Sequence, residues 1–467
     1  MNKTLILALA LFLPACSAGP DYQTPQNSFF DGWFSSAADI SSQDPINVKW
    51  WEVFQDPLLT KYIEQSAQNN KDVQIALANI KKARAQRRES TGALLPSVGS
   101  DAQATRSKSS SAGSSSTNSG QIRNVYDAGF DASWELDLFG GTRRGVEAAD
   151  ARIGAAVASY QDVMLTTFAE VARTYYEARG SQKRIAITQQ NADLLKQTYE
   201  LIEKRVSVGE ASQFDLTRAR GEYQSTLARL PNLQADMETS VFSLSVLLGL
   251  PPEALLEEMK DVQPLPTPPD IVPVGLRSDI LRRRPDIRIA ERELAASSAD
   301  IGVETAELFP KFFITGDIGT QARLFSDLFT AAAGFWSLGS VMQWSVFEGG
   351  AIQARIDSAK AENEAALKTY EKTVLEALGD VETALTRYGR EIETRQRLQE
   401  SVASRREAVS LAQQLLDVGE SDYLDVLDAQ RELTSGEDSL VVSETATVTK
   451  LIALYTALGG GWEAVNP

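Results

Sequence analysis

Few residues in this chain could do chemistry. There is no histidine and one cysteine, Cys16, and no glycine-rich loop followed by lysine that would cradle a phosphate. Cys16 directly follows Leu13-Pro14-Ala15, which close an apolar run at 5–13 preceded by the basic Lys3. That order reads as a secretory signal, residues 1–15, cut at a lipoprotein site. The chemistry it predicts is acylation, with Cys16 a diacylated first residue of the mature chain rather than half of a disulfide. The second group is acidic: Asp425 and Asp428 lie three apart just past Gly419, and Asp215 follows Gly209 in the same way. Asp422 with Asp425, and Ser212 with Asp215, are also spaced as an N-cap and its third residue. Capping accounts for Asp215 and Asp425 but gives no reason for Asp428. No set of residues here predicts an enzyme, a metal site or a cofactor beyond the lipid on Cys16.

These carboxylates are positioned by an internal repeat, which is settled before any local reading. A shift of 210 lays Trp134 on Trp344, Tyr160 on Tyr370, Val208-Gly209-Glu210 on Val418-Gly419-Glu420 and Asp215 on Asp425. A shift of 214 lays Leu95-Pro96-Ser97-Val98 on Phe309-Pro310-Lys311-Phe312. Each half follows one plan: short helix, strand, loop, strand, long helix, tight glycine turn, short helix. The long helices are expected at 142–208 and from 351 to about 417. At about 1.5 Å per residue each rod would be about 100 Å long. Their apolar stripe, Ile352, Ile356, Ala359, Ala366, Tyr370, Ala377, Val381, Ala384 and Tyr388, is rich in small residues, as coiled-coil packing requires. Helices are also expected at about 57–92, at 212–248 with a kink at Pro231, and at 277–307. The domains follow: signal 1–15, extended lipid-anchored arm 16–56, first repeat 57–250, proline-rich connector 251–275, second repeat 276–459 and tail 460–467.

The strands decide the compartment. Tyr126, Ala128, Phe130, Ala132, Trp134, Leu136 and Leu138 alternate with Asp127, Gly129, Asp131, Ser133, Glu135 and Asp137, so one face is apolar and the other acidic. Trp336, Leu338, Met342, Trp344 and Val346 alternate likewise, beside a partner strand at 312–318. A soluble sandwich with one wet face shows the same alternation, and the lipoprotein signal favours the membrane. Strands of this length suit a transmembrane β-barrel, whose spans take about 9 to 11 residues. No apolar run of about 18 residues is evident after the signal, so no transmembrane helix is expected. Lipid tolerates no open sheet edge, so four strands must be closed by further copies; two, three or four would make 8, 12 or 16 strands. The Ser-rich run at 107–120 and residues 324–334 would then lie outside the cell. A net charge of -17 excludes nucleic acid as a natural partner.

Nearly the whole chain resembles the TolC-like outer-membrane efflux proteins, in the lipoprotein branch that serves resistance-nodulation-division pumps. The resemblance is carried by Cys16-Ser17-Ala18-Gly19-Pro20-Asp21-Tyr22, Trp50-Trp51, Arg283-Arg284-Pro285-Asp286-Ile287, and Val418-Gly419-Glu420 followed by Asp425-Val426-Leu427-Asp428-Ala429. It implies a homotrimer with a 12-stranded barrel in the bacterial outer membrane and a helical tunnel reaching into the periplasm. It further implies a passive conduit for drugs or other small toxic molecules, the channel of a tripartite pump with a periplasmic adaptor and an inner-membrane transporter. A type I protein-secretion conduit shares the fold and is the alternative. By resemblance the adaptor meets Val208, Gly209, Glu210, Val418, Gly419 and Glu420, and the tunnel narrows to a periplasmic gate at Asp425 and Asp428, with Asp215 at the repeat-equivalent place. Six carboxylates around one axis would repel unless cations, raised pKa values or bonds between neighbouring helices relieved them. The tyrosine and arginine that join the tips in some members fall here at Leu416 and Ser421.

Overall fold

The computed structural model describes residues 17–25, 32–34, 41–42, 44, 47–108, 110, 121–269 and 271–464. The signal, Cys16 and most of the Ser-rich loop lie outside the described residues. In the first half, α1 (Pro57–Asn69) and α2 (Lys71–Gly92) lead into β1 (Ser97–Lys108) and β2 (Ile122–Leu136). The long α3 (Gly141–Ser207), then α4 (Gln213–Leu227) and α5 (Leu230–Leu247), complete it. The second half repeats the order with α6 (Arg277–Arg283), α7 (Pro285–Ala306), β3 (Lys311–Ala322), β4 (Gly334–Gln343), the long α8 (Ala351–Val418) and α9 (Tyr423–Ala457). The long helices hold 67 and 68 residues, and no proline interrupts either.

Two expectations are corrected. The helix expected at 57–92 is two helices, because the Asn70 carboxamide caps a new one, accepting from the N–H groups of Asp72 (2.8 Å) and Val73 (3.2 Å) while donating to the Leu247 carbonyl (2.9 Å). Pro231 does not kink a continuous helix. It stands at the start of α5, where its missing N–H is harmless, and the chain breaks before it; α9, which has no proline, runs unbroken for 35 residues. By length and composition alone α9 could also cross a bilayer, although Glu444 and Lys450 keep its apolar part from being an uninterrupted run of 18 residues. Its apolar side chains are used in packing: Val448, Leu451, Leu454 and Tyr455 are fully buried.

The chain divides by contacts into two units, each drawn from both halves. One takes in residues 1–26, 79–156 and 289–371 and contains an antiparallel sheet in the order β1-β2-β3-β4. Each half supplies one hairpin, and the halves join where β2 pairs with β3. In-register partners share a face, so one row reads Phe130, Ile318, Trp336 and another Ala132, Gly316, Leu338, while the opposite face carries Asp131, Asp317 and Ser337. Phe130, Ile318, Trp336 and Leu338 are exposed at 61, 62, 77 and 74%. An apolar surface of this size beside an acidic one is unstable in water and suited to lipid. Asp131 lies directly opposite Asp317, an unfavourable pairing of like charges that a wet face tolerates; the Ser337 hydroxyl donates to Asp317 (2.7 Å). Among the described residues β1 and β4 each have one neighbour, so the sheet is open within a single chain.

At the strand ends next to the helices the repeat is visible in single bonds. Trp134 donates through Nε1 to the Leu94 carbonyl (2.9 Å) and Trp344 to that of Leu308 (3.1 Å). The segment after Cys16 is tied to the same region: the Ala18 N–H donates to Phe139 O (2.9 Å), and the buried Arg144 reaches Ala18 O (3.0 Å) and the Asp21 carboxylate (2.7 Å). Gly19 holds φ +83°, and a Cβ there would lie 2.4 Å from Gly302 Cα, so only glycine lets the arm pass so close.

The second unit takes in 27–78, 157–288 and 372–467. Its core is aromatic: Trp50 stacks on Tyr455 (5.6 Å, 14°), Trp51 meets Phe168, Phe54 meets Tyr176 and Tyr62 meets Tyr175 edge to face. These contacts bind the Trp50–Phe54 turn and α1 to one side of α3 and α9. The Trp50 indole N–H donates to Gly460 O (3.1 Å) and that of Trp462 to Arg283 O (3.0 Å), locking the chain end onto the Arg283-Arg284 segment.

Candidate functional site

Both glycine turns have one geometry, built from their residue types. After α3 the N–H of Gly209 bonds Val206 O (3.1 Å) and that of Glu210 bonds Arg205 O (2.8 Å); after α8 Gly419 bonds Leu416 O (3.1 Å) and Glu420 bonds Leu415 O (2.9 Å). This paired pattern closes a helix with a left-handed residue, and the glycines hold φ +81° and +80°. A Cβ at either would meet nothing within 4 Å, so the backbone angle alone demands glycine. The turns leave Val208 and Val418 exposed at 68 and 71%, apolar side chains that none of the described residues covers.

The next helices begin with side-chain caps. Ser212 Oγ accepts from the Asp215 N–H (3.1 Å), and the Asp215 carboxylate accepts from the Ser212 N–H (3.2 Å) and hydroxyl (2.5 Å). At the second turn Asp422 accepts from the N–H groups of Leu424 (2.8 Å) and Asp425 (3.2 Å), and Asp425 accepts from the Ser421 hydroxyl (2.5 Å). Asp215 and Asp425 therefore both take part in starting a helix.

Asp428 is different, for it takes no part in either cap. Arg218 of α4 donates to Asp428 of α9 at 2.8 Å, with Arg431 at 3.7 Å. Its charge is relieved by this ion pair within the chain. Sequence reasoning missed Arg218 although the signal was present: it stands one repeat before Asp428, so equivalent positions carry opposite charges and pair with each other. Behind them α3, α4, α8 and α9 converge on a small core of Leu195, Ile202, Ala219, Leu416, Tyr423, Val426 and Leu427. The Arg205 guanidinium lies over the Tyr423 ring at 5.0 Å, and burial raises the Tyr423 phenol above its ordinary pKa. Leu416 packs in this core and Ser421 holds Asp425. The sequence-predicted positions thus gather at two adjacent-helix turns, with Arg205 and Arg218 added by the structure. Among the described residues no cluster of three or more acidic, histidine or cysteine side chains could hold a metal.

A model of the family described as "outer membrane efflux protein" matches residues 62–250 and 276–460. The chain is 33% identical to nodulation protein T of Rhizobium leguminosarum bv. trifolii over 462 residues, covering 98% of this chain and 97% of that protein. It is 31% identical to the toluene efflux pump outer membrane protein TtgC of Pseudomonas putida over 474 residues, covering 99 and 96%. The solved outer-membrane channel OprN superposes with a TM-score of 0.89 at 36% identity, covering 96% of this chain and all of that one.

Proposed function

Because the chain belongs to the outer membrane efflux protein family, we propose that three copies close one 12-stranded barrel and one helical tunnel, the outer-membrane conduit of a tripartite pump. The observation that carries this is the four-stranded sheet, with one apolar face, one acidic face and an unpaired strand at each edge. In lipid each edge must find another strand, and another copy of the same chain supplies it. The apolar rows then face lipid, and Asp131, Asp317 and Ser337 line water. Cys16 carries the acyl anchor; the bonds of Ala18 and Arg144 that fix the arm beside the strand ends support this.

In this reading the turns at Val208-Gly209-Glu210 and Val418-Gly419-Glu420 receive a periplasmic adaptor, which joins the channel to an inner-membrane resistance-nodulation-division transporter. Exposed Val208 and Val418 offer the adaptor an apolar foothold at each tip. Asp425 and Asp428 form the periplasmic gate with Asp215 nearby in the repeat, Asp428 being held by Arg218 while the gate is shut. The transported molecules are small organic compounds, and the conduit itself passes them without energy input. Purified protein added to planar lipid bilayers should give discrete conductance steps, and deleting its gene should sensitise the host to such compounds. A protein that inserts in lipid yet conducts nothing would overturn the reading.

A further inference from the structure

In the second unit, α7 begins where α9 ends, between α3 and α8. The junction is held by Arg284, whose guanidinium donates to Asp286 (2.7 Å), to Asp380 of α8 (3.0 Å) and to the terminal carbonyl Ala457 of α9 (3.2 Å). Two helix ends cannot fill the width of a continuous helix, and beside Arg284 they leave a groove of about 860 Å³. Its α3 wall includes Asp162, Leu165 and Ala169, its α9 floor Ile452 and Ala453, and its α8 wall Ala384 and Arg387.

The groove's direction follows from helical spacing. On α3, Phe168 and Tyr175 meet Trp51 and Tyr62, and on α9 Tyr455 meets Trp50. At 100° per residue, Thr166, Arg173 and Glu177 of α3 and Ala453 of α9 lie on the opposite sides of those helices. The side of the layer bearing the groove is therefore not the side covered by Trp50–Phe54 and α1. In a closed assembly with that aromatic covering outermost, the groove opens into the bore.

Most of its charges are already matched. Arg173 is clasped by Glu170 and by Glu177 (2.6 Å), Arg284 by Asp286 and Asp380, and Lys450 by Glu391. Among the described residues, the Asp162 carboxylate and the Arg387 guanidinium have no hydrogen bond or ion pair. Arg387 is exposed and hydrated, whereas Asp162 is half-buried. Burial, followed by the neighbouring Asp286 carboxylate, raises the Asp162 pKa against a smaller lowering by Arg284; the Arg284 guanidinium is itself bound by Asp286 and Asp380 and makes no ion pair with Asp162. An apolar floor beside a recessed, unpaired carboxylate is complementary to a cation with an apolar body.

We propose that this groove is a binding site on the channel wall for small amphiphilic organic cations, with Asp162 as the counter-ion and Leu165, Ala169, Ile452 and Ala453 as the apolar seat. It rests on the conduit reading above. A molecule passing through the bore would pause there, so an abundant cation of this class would obstruct the channel at a place remote in sequence from Asp425 and Asp428.

The test is block of bilayer conductance by tetraphenylphosphonium. The wild-type channel should be blocked saturably; Asp162→Asn should raise the half-blocking concentration at least about tenfold, the loss expected for one charge-assisted contact. Ala453→Trp, which fills the groove from an exposed position, should abolish block while conductance persists. Arg387→Gln should leave block unchanged or strengthen it. Equal block of wild type, Asp162→Asn and Ala453→Trp would overturn the site while leaving the channel intact. Absence of wild-type conductance would instead remove the reading on which the site rests.

Discussion

At the scale of single residues, the charge at the tips is matched within the chain, Arg218 pairing with Asp428. Arg218 and Asp428 are about one-third and one-half exposed, so the pair contributes only ~0.5–1 kcal/mol in each chain. Three such pairs acting together would still bias a gate between shut and open. Arg218→Ala is expected to raise the open fraction of single channels as Asp428→Ala does, and the exchange Arg218→Asp with Asp428→Arg to restore closure. Unchanged gating in both single variants would show that the pair only decorates the helices. On the proposed gate reading, Asp425→Ala with Asp428→Ala should raise conductance and weaken block by divalent cations applied from the periplasmic side, because fewer carboxylates would then face the axis. Cys16→Ala should abolish incorporation of labelled fatty acid, while membrane insertion persists through the apolar sheet face. Undiminished labelling would place the lipid elsewhere.

At the scale of elements, helix ends do most of the organising. Asn70 starts α2 and also holds the last turn of α5, so Asn70→Ala removes a cap worth about 1 kcal/mol and a link between two elements. Arg284 ties the start of α7 to α8 and to the end of α9. Its side chain is mostly buried, and Arg284→Ala leaves Asp286 and Asp380 facing one another without a cation. We expect a loss of about 2–3 kcal/mol, read as a lower temperature for dissociation of the assembly. A dissociation temperature equal to that of wild type would mean that Trp50, Tyr455 and Trp462 hold this junction unaided.

For the whole molecule, the open sheet predicts an oligomer, and native mass spectrometry in detergent should find three chains; two or four would refute the 12-stranded barrel. A second consequence concerns alkaline pH. Tyr455 is pushed up to about 12 by burial, and Tyr22 to about 12 by burial and then by Glu291, from an ordinary 10.0. The folded protein thus keeps protons that the unfolded chain releases. The stability these groups contribute is complete below pH 10 and is lost as pH rises towards 12. Melting temperature should fall over that window, and Tyr455→Phe, whose lost hydroxyl has no hydrogen-bond partner, should flatten the fall. An identical profile in that variant would assign the alkaline loss to other groups.

Much of this architecture was legible in the sequence because the repeat doubled each signal. The first strands coincide under a shift of 214, and the second strands, two proline-free helices and two Gly turns under one of 210, and periodicity with an unavoidable φ near +80° leaves few alternatives at those positions. The shift of 210 also paired Arg218 with Asp428, but a numerical correspondence does not say that equivalent side chains touch. That depends on α4 and α9 lying side by side, which only the tertiary structure decides. So do the break at Asn70, which needs the Leu247 carbonyl as its second partner, and the use of α9's apolar residues in packing rather than in lipid. The groove at Arg284 was beyond any local pattern, since it exists only where two helix ends from distant parts of the chain meet between two long helices. Local residue chemistry set which elements form and where they stop; contacts between residues far apart in sequence decided which charges are matched and which are left to meet a ligand.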